Sequence, residues 1–130
     1  MARILIAEDD EAIRKFMARA LERAGHEVMA VGDGASALQV IRKNTLDLLV
    51  ADIVMPELDG VALSRKAMAI DENLRVIFIT GFSAVAMNIR QTESGKTKVL
   101  SKPFHLKDLV TAIERELAAA THASGTTPLA

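Results

Sequence analysis

The residues able to do chemistry are acids placed at the ends of apolar blocks. Glu8, Asp9 and Asp10 follow the block Ile4–Ala7, and Asp52 follows Leu46–Ala51. Thr80 follows Val76–Ile79, and Lys102 comes just after Val99–Leu100. Carboxylates gathered in one cleft repel each other and suffer from desolvation. A hard divalent cation relieves both penalties, and magnesium favours a few carboxylate oxygens, a carbonyl and several waters. An acidic cluster beside an amine and a hydroxyl therefore points to Mg2+-dependent phosphoryl transfer, which depends on positioning and charge neutralisation. In that chemistry Asp52 is the nucleophile and becomes an acyl phosphate. Lys102 meets the phosphoryl oxygens as a point charge, and Thr80 donates a hydrogen bond to one of them.

These side chains can meet only if the elements that carry them end at one edge. The apolar blocks Ile4–Ala7, Val28–Val31, Leu46–Ala51, Val76–Ile79 and Val99–Leu100 are short and nearly continuous, as parallel strands buried on both faces should be. Helical spacing separates them. Ile13, Phe16, Met17, Ala20 and Leu21 share one helix face, with Gly25 at its C-terminal cap. Ala37, Leu38 and Ile41 mark a second helix, and Val61–Ile70 a third. A weak fourth is expected between Ala84 and about Thr92, where Asn88, Thr92, Ser94 and Gly95 are poor helix formers. Leu106, Leu109, Val110, Ile113 and Leu117 stripe a fifth. The alternation predicts an α/β fold, a flavodoxin-like doubly wound sheet of five parallel strands in the order 2-1-3-4-5, flanked by five helices. Ligands of such sheets bind beyond the carboxyl ends of the strands, where the acids lie.

Composition sets the outer limits. The chain has 130 residues, one domain's worth, and half of them are apolar. Four Phe and no Tyr or Trp make the core aliphatic, and the absence of Cys excludes disulfides and thiolate chemistry. A net charge of −1 with scattered basic residues argues against a nucleic-acid partner. No signal peptide or membrane span is apparent, so a cytoplasmic location is expected and no membrane partner. The domain is expected over residues 1–119, with 120–130 a disordered tail.

Several residues have plainer roles. Asp10 suits the N-cap of the first helix, and Asp59-Gly60 suits a turn. His26, His105 and His122 fall in no metal or nucleophile spacing. Phe82, Val85, Met87 and Ile89 read as core, although a weak helix could leave some of them exposed to a partner.

Four runs together carry a resemblance: Ile4-Leu-Ile-Ala-Glu-Asp-Asp, Asp47-Leu-Leu-Val-Ala-Asp-Ile-Val-Met-Pro-Glu-Leu-Asp-Gly, Ile79-Thr-Gly and Leu100-Ser-Lys-Pro-Phe. In this order, each closing a strand, they resemble the receiver domain of bacterial response regulators. The resemblance implies that Asp52 is the phosphoacceptor, charged by a histidine kinase or histidine phosphotransfer protein. It implies Asp9 as a direct Mg2+ ligand, Glu8 as one acting through water, and the Val54 backbone carbonyl as a third ligand. Thr80 is then the switch hydroxyl and Lys102 the amine, with Phe82, Val99, Pro103 and His105 near the output face. Many receivers carry an aromatic switch residue where this chain has Val99, so a ring reorientation is not available here. The positions two beyond Asp52 and Thr80, Val54 and Phe82, are apolar and cannot hold a water, so slow self-hydrolysis of the phosphate is expected.

Residues 77–87 and 99–109 further resemble the CpdR subfamily of single-domain regulators. That likeness implies a non-enzymatic adaptor in regulated proteolysis during the cell cycle, with the ClpXP protease system as partner. Competing readings are a phosphorelay shuttle and a pseudo-receiver that is never phosphorylated. A haloacid-dehalogenase-type phosphatase would need a second acid where Val54 stands.

Overall fold

A computed structural model describes residues 2–55, 58–80, 97–101 and 105–125. The strands are β1 (Arg3–Ala7), β2 (Glu27–Val31), β3 (Leu48–Asp52), β4 (Arg75–Thr80) and β5 (Thr97–Ser101). The described helices are α1 (Glu11–Arg23), α2 (Gly34–Lys43), α3 (Gly60–Ile70) and α4 (Leu106–Gly125). The strands form one sheet in the order β2-β1-β3-β4-β5, every pair parallel, as the alternation of blocks and helices predicts. The fourth helical segment expected from the sequence lies outside the described residues.

The period-two geometry of a strand sends alternate side chains to opposite faces. Ile4, Ile6, Leu48, Val50, Ile77 and Ile79 pack with Met17 and Leu21 of α1 and Leu109 and Ile113 of α4. Leu5, Leu49, Ala51, Val76 and Phe78 pack with Leu38 and Ile41 of α2 and Leu63 and Ala67 of α3. β1, β3 and β4 are buried on both faces, whereas β2, at the sheet edge, is only half covered.

Each of the first three helices starts at an Asp cap on the rim where the strands end. Asp10 accepts from the Ile13 N–H (3.1 Å), Asp33 from Ser36 (2.7 Å) and Asp59 from Ala62 (2.8 Å). The backbone N–H and the hydroxyl of Ser36 hold the Asp33 carboxyl below the usual carboxylate range. After α1 and its C-cap Ala24 the chain turns at Gly25, whose φ of +96° suits glycine, with His26 N–H donating to the Leu21 carbonyl and Gly25 N–H to that of Glu22.

Two expectations change. Phe16 is not core: it is 62% exposed, because the buried stripe of α1 narrows to Met17 and Leu21. β3 begins at Leu48 rather than Leu46, since the Asp47 carboxylate caps the chain there by accepting from the Arg3 N–H at 2.8 Å. α4 continues to Gly125, and the strong helix former Ala at 118, 119 and 120 favours that length. One polar pair was not expected at all: Arg75 at the start of β4 meets Glu116 of α4 at 3.6 Å, both side chains largely buried.

Candidate functional site

The register builds the site. β1 and β3 pair with Ala7 beside Ala51, so Glu8 and Asp52 are the next residues of adjacent strands. Ligand oxygens of Glu8, Asp9 and Asp52 all lie within 4.8 Å of one another. Glu8 and Asp52 are buried (1% and 6% exposed), while Asp9 opens to solvent. Two unit charges at such a spacing repel by about 3–4 kcal/mol at an effective dielectric constant of ~20. A hard dication accepting three carboxylates and water reverses the sign of that interaction. The donor set, oxygen only and open on one side, fits a metal ion of that kind.

Hydrogen bonds hold these acids in place. Glu8 N–H continues the ladder by donating to the Val31 carbonyl at 3.1 Å. Its carboxylate accepts from the Asp10 N–H at 3.1 Å, and its carbonyl accepts from the Arg14 guanidinium at 2.8 Å. Asp52 Oδ1 accepts from the Val54 N–H at 3.0 Å. The loop after Asp52 is also fixed by its main chain. Ile53 N–H donates to the Ile79 carbonyl and Gly60 N–H to the Ile53 carbonyl, both at 3.0 Å.

Ile79 pairs with Asp52 and Thr80 with Ser101, so Thr80, fully buried, ends β4 on the same rim. Val54 is 52% exposed beside Asp52. Val99 pairs with Phe78 and packs on the core between the sheet and the α2 and α3 helices. His105 is exposed and works as a helix start: its N–H donates to Asp108 Oδ2 (3.3 Å), and its carbonyl accepts from the Asp108 and Leu109 amides. Lys102, Phe82 and Pro103 lie outside the described residues.

Two contributors escaped the sequence reading. Arg14 reaches the site from α1, and nothing in its local pattern distinguishes it from the other basic residues of that helix. Gly60 was read as turn chemistry, yet a Cβ there would lie 2.4 Å from the Asp52 carbonyl oxygen. The Asp-Gly pair was the available signal, but it does not reveal what the glycine approaches.

Comparison with known proteins matches residues 4–114 to the response regulator receiver domain. The chain is 52% identical over 120 residues to the response regulator receiver protein CpdR of Brucella abortus (strain 2308), covering 92% of this chain and all of that one. It is 36% identical over 116 residues to the DNA-binding transcriptional regulator NtrC of Azospirillum brasilense, covering 89% of this chain but only 24% of that protein. Among solved structures, a CheY-like receiver domain protein from Methanospirillum hungatei JF-1 superposes with a TM-score of 0.87 at 27% identity, over 96% of this chain and 99% of the other. The receiver domain of the hybrid histidine kinase CckA superposes with a TM-score of 0.77 at 34% identity, over 88% and 98%.

Proposed function

The chain belongs to the response regulator receiver domain family, and on that premise we propose that it is a phosphorylation-gated protein-binding module whose phosphoacceptor is Asp52. The observation that carries the reading is the convergence of Glu8, Asp9 and Asp52 within 4.8 Å at the mouth of a parallel sheet. In the forward step an Asp52 carboxylate oxygen attacks the phosphorus of a phosphohistidine. The O–P bond forms as the N–P bond breaks, and the freed imidazole nitrogen takes a proton from solvent. Glu8, Asp9, Asp52 and the Val54 carbonyl would hold Mg2+, which when bound neutralises charge on the transferring group. The Val54 N–H orients Asp52 Oδ1. Thr80 and Lys102 are assigned the phosphoryl oxygens.

The donor in this reading is a histidine kinase or histidine phosphotransfer protein, and the setting is the cytoplasm. Among the described residues no helix is long and apolar enough to cross a membrane. Phosphorylation then biases a two-state equilibrium that a protein partner senses. The CpdR-like motifs make regulated proteolysis through ClpXP the partner pathway to test first.

The deciding experiment is labelling by acetyl phosphate with Mg2+. Wild type should take up one phosphoryl group, and Asp52→Ala none. Labelling that persists in Asp52→Ala, or that is absent from wild type with Mg2+, rejects the assignment. A pull-down with both forms then identifies the state that the protease partner binds.

A further inference from the structure

We propose that Arg14 is a positioning residue for the metal site, acting through the main chain of Glu8. The proposal rests on the reading of Glu8, Asp9 and Asp52 as the ion's ligands. Two main-chain amides hold Glu8: its own N–H donates to the Val31 carbonyl at the end of β2, and the Asp10 N–H donates to its carboxylate. A side chain of α1 adds a further contact. Arg14 projects from the first turn of α1 and donates from Nη1 to the Glu8 carbonyl at 2.8 Å. That carbonyl lies one residue past the β1–β3 ladder, which ends at Ala7, and belongs to a residue only 1% exposed. A buried carbonyl at such a place needs a donor, and a charged one makes the stronger bond.

The guanidinium also lies against the turn after β2. A Cβ on Gly32 would sit 3.1 Å from Nη1 and 3.7 Å from Cζ. Arg14 thus spans the turns that follow β1 and β2 and sets the height at which Glu8 and Asp9 leave the sheet. The two amide contacts act differently, one joining Glu8 to the last residue of β2 and the other closing its own turn.

The geometry gives the test an unambiguous sign. A guanidinium acting merely as a nearby positive charge opposes a dication, so its removal would tighten Mg2+ binding. A guanidinium that positions the ligands does the reverse, and loss of a residue that orients metal ligands typically weakens affinity by roughly 10–100-fold. The experiment is calorimetric titration of Mg2+ alone into wild type, Arg14→Met and Arg14→Lys. The Met variant keeps the apolar stem and loses donor and charge, and the Lys variant keeps both a donor and the charge.

Arg14→Met should bind Mg2+ roughly tenfold more weakly, with Arg14→Lys between it and wild type. Its thermal unfolding without Mg2+ should fall only moderately, by the cost of leaving one buried carbonyl without its donor. Labelling by acetyl phosphate should recover at saturating Mg2+, since Asp52 is untouched. Unchanged or tighter Mg2+ binding by Arg14→Met overturns the proposal. So does a melt far below wild type, which would make Arg14 a general structural residue. If wild type itself takes up neither Mg2+ nor phosphate, the functional reading fails. If wild type binds and Arg14→Met binds equally well, only the positioning role fails.

Discussion

Val54 has two faces toward Asp52, the proposed phosphoacceptor. Its N–H ties down Asp52 Oδ1, while its side chain stands half in solvent with no group able to hold a water. Hydrolysis of an aspartyl phosphate needs a water held in line with the O–P bond, and a polar neighbour assists by orienting it or accepting its proton. Val54→Asn or Val54→Glu should therefore shorten the phosphate's lifetime severalfold while leaving its formation intact. Phosphate release followed after removal of the donor measures this, and an unchanged release rate would show that position 54 does not govern water access. At this scale the acids were legible in the sequence because each closes an apolar block. Arg14 was not, since its partner is a carbonyl on another element and side-chain reach leaves no periodic trace.

The backbone around Asp52 and Leu58 is held by close approach to two glycines. A Cβ at Gly60 would meet the Asp52 carbonyl oxygen at 2.4 Å and the Ile53 Cα at 3.0 Å, main-chain atoms that cannot swing aside. Likewise, a Cβ at Gly34 would meet the Leu58 carbonyl oxygen at 2.4 Å. Asp52 and Leu58 thus each lie against the first residue of a helix, Gly60 and Gly34 respectively. Gly60→Ala should lower stability by about 1–3 kcal/mol through overpacking and also slow acetyl-phosphate labelling of the fraction that remains folded. Chemical denaturation together with labelling separates the two effects; a variant as stable as wild type contradicts the contact. The strands and the Asp caps of α1, α2 and α3 follow from periodicity and side-chain chemistry. The exposure of Phe16 does not, because hydrophobic spacing marks a face but not how wide a strip of it the sheet covers.

For the whole molecule, the acids at one rim give the ion-free state a local repulsion that a bound dication would remove. Binding to the folded form alone stabilises it by mass action, about 2.7 kcal/mol at a concentration 100 times the dissociation constant. A domain of this size should then melt on the order of 10 °C higher. Asp52→Ala should lose most of that rise, and calcium, larger and less demanding in geometry, offers a comparison. Equal melting temperatures with and without Mg2+ would contradict the ligand assignment. The topology was legible because alternating strands and helices permit few right-handed parallel arrangements. The Arg75–Glu116 pair was hidden, since charged residues ordinarily signal surface. That pair lies where β4 enters the sheet, whereas the acids lie where the strands leave it. Anchorage of the last helix and the proposed phosphoryl chemistry therefore occupy opposite poles. Substitutions at the two ends should therefore add nearly independently in their effect on stability.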